Sequence, residues 1–274
     1  MNHETINGVV VRVRDTGDHD RYLSILTAEK GRISMLAKGS RSLKGGQTAV
    51  SQLYTYGNFE YYKRGDFNIL KGGSPIQSFY ALSADLDRLN LAAYLCEAVA
   101  EVTDEGEPAA EMLRLLLNSL YAVSRDLYPQ EIVKGVFEMR AATLSGYAPE
   151  LGGCARCGAE RAEELYLDVM NGAILCADCL RGQAPKKISP TSYDEIREAE
   201  LLCPLSPAVL AALRYAAYAP IERIFSFELK DADDLRAFSK TAESYLLSHL
   251  GRGFDSLNFY YSMRGELSLK GTKT

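Results

Sequence analysis

The chain has no tryptophan and only three histidines, His3, His19 and His249, in 274 residues. Histidine is the commonest general acid–base side chain near neutral pH. None of the three stands at a recognisable spacing from a nucleophile. A glycine-rich phosphate loop closing in Lys-Ser/Thr is also missing, which removes the common nucleotide-hydrolysis motif. The acidic pairs Asp18/Asp20 and Asp233/Asp234 read as a solvated turn and a helix start, not as paired catalytic carboxylates. No run approaches the roughly 18 apolar residues that mark a membrane helix. The opening stretch MNHETINGVVVRVRD places an acid early and arginines inside its apolar run, unlike a secretion signal. The expectation is a cytoplasmic binding protein that is not an enzyme and has no membrane contact.

Acid is missing from one stretch in particular. Between Lys30 and Phe59 stand Lys30, Arg32, Lys38, Arg41 and Lys44, with no Asp or Glu among them. Residues 1–80 carry eleven Lys/Arg against seven Asp/Glu, although the whole chain has a net charge of −5. A basic end on an acidic body suggests a localised polyanion site, though chance scatter of surface charge would give similar counts.

Apolar residues make up 47% of the chain and charged residues 24%. That is a globular composition, and the length suits two domains with a small insert. Up to about residue 80 the pattern alternates. Val9, Val11 and Val13 are expected on one face of a strand, with Val10, Arg12 and Arg14 on the other. RYLSILT, RISMLAK, LYTYGNFEYY and FNILKGG follow between polar or glycine-rich breaks. Five short strands in so short a span suit a small closed barrel. From Ser83 the period becomes helical. A first helix is expected with Ser83 as N-cap and a stripe of Leu86, Leu89, Ala93, Cys96 and Ala100. Further helices are expected from Pro108, from near Pro129 to Gly146, near Ser189, at Ser206–Pro207, and from Asp231 to His249.

Six cysteines without a secretion signal argue against a disulfide framework. Cys154 and Cys157 form one close pair, Cys176 and Cys179 another. Two such pairs have the spacing of a tetrahedral zinc site, since a two-residue gap lets both thiolates of a turn reach one ion. Four cysteine ligands fill the shell, leaving no open position for a catalytic water, so the expected zinc is structural, one ion per chain. The segment carries Arg156, Arg161 and Arg181 against five acids, a poor phosphate-binding finger. Cys96 and Cys203 are expected in the core.

The basic loop LAKGSRSLKGG (36–46) is then the candidate functional element. Lys38, Arg41 and Lys44 recur every third residue between glycines and serines. Cations neutralise phosphate, serine donates hydrogen bonds, and Gly39 lets the backbone approach closely. Tyr22, Tyr54, Tyr56, Phe59, Tyr61 and Tyr62 lie on the neighbouring strands. Rings on a barrel face can stack on bases, but at least half of these are expected to fill the barrel.

VVVRVRDTGDHDRYLSILTAEKGRISMLAKGSRSLKG, FEMRAATLSGYAPELGGCARCG and HLGRGFDSLNFY together resemble the RecO family of bacterial recombination-repair mediators, and the order of modules matches over nearly the whole length. The resemblance implies an α+β multidomain protein. Residues 1–80 would form an OB-fold β-barrel, 81–150 and 183–274 an α-helical domain, and 151–182 an inserted four-cysteine zinc module. It implies binding of single- and double-stranded DNA and annealing of complementary strands. It also implies contact with RecR and with the acidic tail of single-stranded DNA-binding protein, so that RecA is loaded indirectly. By position, Lys38, Gly39, Arg41 and Lys44 would face DNA, with Arg12, Arg14 and Arg32 as further contacts on the barrel. A zinc-stabilised RNA- or transcription-associated module is the alternative that the barrel and the cysteine spacing leave open.

Overall fold

The computed structural model describes residues 3–42, 47–182 and 202–265. Lys44 and the helix expected near Ser189 lie outside them. Two compact units divide the described chain. One takes the residues up to Leu127 and again from Phe254; the other runs from Tyr128 to Gly253.

The first unit opens with five strands: β1 (His3–Thr16), β2 (Asp20–Thr27), β3 (Arg32–Ala37), β4 (Thr55–Arg64) and β5 (Phe67–Ser78). They close into a barrel in the order β1-β2-β3-β5-β4, with β4 returning to β1. Only β3 and β5 pair in parallel. The interior is filled by Ile6, Val10, Leu23, Ile25, Ile33, Met35, Phe59, Tyr61 and Leu70, with Val13 packed against it. The expected alternation of β1 is therefore corrected. A bulge between Val10 and Arg12 inserts one residue and reverses the parity of the strand. Val10 and Val13 both face inward, while Arg12 and Arg14 stay exposed.

Val9 and Leu26 are fully buried yet lie outside that interior cluster. Alternation turns both to the outer surface, where β1 and β2 meet α1 (Leu86–Val102) and α2 (Ala110–Arg125). The β2–β3 turn locks onto the end of α1. Arg32 N–H donates to Asp104 O (3.1 Å), Gly106 N–H to Lys30 O (3.0 Å) and Ala109 N–H to Ala28 O (2.9 Å). Gly31 has φ +57, and a Cβ there would sit 2.1 Å from Asp104 O, so this approach requires glycine.

The N-cap of α1 is Asp85, whose side chain accepts from Arg88 N–H (3.0 Å). Ser83 lies in the short 3-10 turn before it, which corrects the expected cap. The expected stripe of α1 is met fully only at Cys96, which is buried; Leu89, Ala93 and Ala100 are half-buried and Leu86 is exposed, while Leu91, Leu95, Ala98 and Val99, outside the stripe, are buried. The helix packs against the barrel, α2 and the last described helix at once, so a single-sided pattern fails. α2 begins two residues later than expected and buries Met112, Leu113, Leu116, Leu120 and Val123 as its spacing implies.

The second unit contains α3 (Gln130–Leu144), a four-stranded sheet, α4 (Ala177–Arg181), α5 (Pro207–Tyr218) and α6 (Ala232–Leu250). Ser206 caps α5, accepting from Val209 N–H (3.1 Å), and Asp231 caps α6. The sheet has the order β6-β8-β7-β9, from Glu150–Cys154, Ala173–Cys176, Leu165–Asp168 and Leu202–Leu205. Cys203, expected in the core, is half-buried on β9. α3 and α6 pack closely around a buried charge cluster. Lys134 Nζ lies 2.9 Å from Glu138 and 2.5 Å from Glu243, and all three side chains are almost wholly buried. A last helix, α7 (Asp255–Met263), belongs to the first unit, where the Phe254 ring meets Tyr94 edge-on at 5.6 Å.

No helix among the described residues is long and apolar enough to cross a membrane.

Candidate nucleic-acid interface and metal centre

The basic loop leaves β3 at Lys38 and folds back on the β1–β2 hairpin. Gly39 adopts φ +64 with open space beside it, and its N–H donates to Asp20 Oδ1 at 2.8 Å. Arg41 N–H donates to His19 O at 3.0 Å, and Thr48 Oγ1 donates to Ser42 O at 3.2 Å. A segment that reads as a polar connector is thus fastened to its neighbours at several points. Lys38 and Arg41 are both exposed. No ion pair holds Lys38 among the described residues. Arg41 lies 3.4 Å from Asp15, which also accepts from Arg21 at 3.1 Å. Sequence spacing does not point to Asp15 as part of this site. It lies on another strand, and only the strand pairing brings it here.

Arg12 and Arg14 point outward from β1. Arg32 sits at the other end of β3 from Lys38, and its Nε donates to Thr103 O at 3.3 Å; it helps hold the barrel to α1. Lys30 is also engaged. It contacts Glu4 and donates to Tyr61 OH at 2.9 Å. The bond to Glu4, then the one to Tyr61, raises its pKa to about 12 against the opposing effect of burial. The acid-free stretch therefore presents fewer free cations than it contains. Among the ring residues, Tyr54, Phe59 and Tyr61 are buried, while Tyr22, Tyr56 and Tyr62 are partly exposed.

The four cysteines converge. Cys154 ends β6, Cys176 ends β8 and Cys179 lies on α4. The two strands are held in register by Ala155 N–H donating to Ile174 O at 2.8 Å. All four sulfurs lie within 4.8 Å of one another. Cys157 Sγ and Cys176 Sγ are 3.7 Å apart, far beyond a disulfide bond. Four sulfurs about 2.3 Å from a central zinc would stand roughly 3.8 Å apart, so the set fits one tetrahedral ion. Burial opposes ionisation of Cys154, but backbone N–H groups of Cys157, Cys176 and Arg156 bring its thiol down to about 6. Hydrogen bonds to Cys176 and Cys157 hold Cys179 up, at about 12. Cys154 and Cys176 are buried, and Cys157 is exposed. The arrangement can hold a metal ion through four thiolates with no ligand position left over.

A closed five-stranded barrel of the OB type, followed by helices and a four-cysteine cluster, defines the class: a multidomain α+β protein with an OB-fold at its N-terminus. Residues 1–79 match the family model for the N-terminal part of recombination protein O, and residues 83–258 match the one for its C-terminal part. The DNA repair protein RecO of Acetivibrio thermocellus is 32% identical over 260 residues, covering 94% of this chain and 96% of the relative. That of Bacillus pumilus is 25% identical over 264 residues, covering 96% of each. That of Anaeromyxobacter dehalogenans is 32% identical over 185 residues, 66% of this chain and 72% of the relative. The chain belongs to the RecO family.

Proposed function

We propose that the protein is a non-enzymatic mediator of DNA repair and recombination on the nucleoid. It binds single- and double-stranded DNA and anneals complementary strands. With RecR it helps load RecA onto single strands covered by single-stranded DNA-binding protein, whose acidic tail it contacts. The observation that carries this reading is the clamped loop at Lys38–Arg41, exposed and cationic on an OB barrel in a chain of this family. Cations at fixed positions on a barrel can screen the repulsion between two strands brought together to pair. The four-cysteine cluster holds a structural zinc in this reading. It stabilises its own sheet and takes no part in DNA contact, since its segment has more acids than arginines. The amphipathic helices beyond residue 80 offer the apolar surface that an acidic tail ending in phenylalanine would need. The test is annealing of two labelled complementary strands by the purified protein, with and without single-stranded DNA-binding protein. Accelerated annealing in both cases supports the proposal, and an unchanged spontaneous rate contradicts it.

A further inference from the structure

The six cysteines differ in their surroundings. Cys96 is 2% exposed on α1, where burial pushes its thiol well up. Burial also raises Cys203 on β9. The thiolate, not the thiol, attacks oxidants, so these two stay inert. The other four form the cysteine cluster, and they divide again. Cys154 and Cys176 are 2% and 3% exposed. Cys154 Sγ also accepts backbone N–H groups, among them that of Cys176 at 3.4 Å. A sulfur stabilised in this way is a poorer nucleophile. Cys179 is half-buried, and Cys157 is the exposed member.

The turn after β6 fixes where Cys157 stands. Cys154 N–H donates to Ala159 O at 2.9 Å, and Gly158 N–H donates to Cys154 O at 2.8 Å. Arg156 Nη1 donates to Cys179 O at 2.9 Å, which ties the turn to α4. Cys157 is thus held on the outer side of the cluster, with its Sγ 3.7 Å from that of buried Cys176. An oxidant arriving from solvent meets Cys157 first and finds a second sulfur directly behind it. Cys176 ends β8, the strand that joins β6 to β7, so a change at this sulfur bears on the middle of the sheet.

We infer that Cys157 is a site of oxidation by hydrogen peroxide, with Cys176 as its resolving thiol, and that the cluster is a redox latch on the four-stranded sheet. The inference rests on the structural-zinc reading above and adds a controlled loss of the metal. The Cys157 thiolate attacks one peroxide oxygen. An S–O bond forms, the O–O bond breaks, and the departing hydroxide takes a proton to become water. The Cys176 thiolate then attacks the sulfur of the resulting sulfenic acid. An S–S bond forms, the S–O bond breaks, and a second hydroxide leaves and is protonated to water. The two sulfurs together give up two electrons, and the peroxide is reduced to two waters. Two thiolates remain, short of the four that a structural zinc site uses. Forming such a site is part of folding, so its loss loosens β6 and β8. The barrel belongs to the other compact unit and keeps its basic loop.

The test uses the full chain, purified after metal-replete expression and treated with a small excess of hydrogen peroxide. Released zinc is read with a chromogenic chelator, thiols by titration after denaturation, and the linkage by peptide mass spectrometry. The expected result is one zinc released per chain, a thiol count that falls by two from six, and a Cys157–Cys176 disulfide. Amide exchange is expected to quicken in β6 and β8 and to stay unchanged in β1 and β2. Dithiothreitol with added zinc restores the starting state. Cys96→Ser/Cys203→Ala keeps all four ligands and is expected to respond like the parent; a response lost in this variant would place the oxidation outside the cluster and overturn the inference. If the zinc-loaded protein keeps its metal and all its thiols, or if the disulfide joins another pair, the latch is wrong and the structural zinc stands. If the purified protein holds no zinc, the metal reading falls and the latch falls with it.

Discussion

Asp15 lies 3.1 Å from Arg21 and 3.4 Å from Arg41, so its carboxylate neutralises part of the charge that the loop presents. Exposed pairs of this kind contribute about 0–1 kcal/mol, little enough for a phosphate to displace the carboxylate. Asp15→Asn should tighten DNA binding by up to about fivefold at low salt, with the gain fading as salt screens it. A titration at two ionic strengths checks this, and weaker binding by the variant would show that Asp15 positions the loop more than it competes with DNA. A different balance holds at Lys134. Burial works to lower its pKa, but Glu138 and Glu243 outweigh it and hold the value above the ordinary lysine range. A raised folded-state value means that its contribution is fully present below the unfolded value of about 10.4. It is lost only as pH rises beyond that, through the folded value. Lys134→Met leaves two buried carboxylates facing each other and should cost about 3–5 kcal/mol, measured by urea unfolding near pH 7. A change under about 1 kcal/mol would mean that the carboxylates are held by other groups. Lys134 sits on a helix whose apolar pattern is plain in the sequence, but nothing in that pattern announces that Glu243 will face it from α6.

Strands and caps are legible where short-range chemistry decides them. The cysteine pairs converge as their spacing implies, and α5 and α6 start at the Ser206 and Asp231 caps. Two features are hidden. The bulge in β1 depends on pairing with β2, so strict alternation puts Val10 and Val13 in the wrong relation. The face of α1 is not legible because partners surround the helix, which erases any one-sided stripe. At this scale the β2–β3 turn is testable. Gly31→Ala would place a Cβ in contact with Asp104 O at a positive φ. It should destabilise the protein by at least about 1 kcal/mol, visible as a lower thermal midpoint. An unchanged midpoint would mean that the turn can move off α1 freely. For the metal cluster, Cys157→Ser should lose the ion and lower thermal stability, because forming the site is part of folding. Elemental analysis after metal-replete expression gives the outcome, and a well-folded parent protein without zinc would refute the assignment.

For the whole chain, the barrel shares its compact unit with α1, α2 and α7. A fragment ending at residue 80 would expose Val9 and Leu26 and lose the bonds from Ala28, Lys30 and Arg32 to the segment 104–109. It should be markedly less stable to urea than the barrel within the full protein, as amide exchange of β1 and β2 would report. DNA binding by the intact chain is the central claim, and the basic loop is its sharpest point. Each lysine or arginine on a phosphate releases counterions, and for single strands log affinity falls with log salt by roughly 0.7 per phosphate neutralised. The direct measurement is that slope for the parent protein and for the Lys38→Ala/Arg41→Ala/Lys44→Ala variant, with folding checked by circular dichroism. The account predicts weaker binding to every sequence alike and a slope flattened by about 2. A folded triple variant with unchanged affinity and unchanged slope would contradict it.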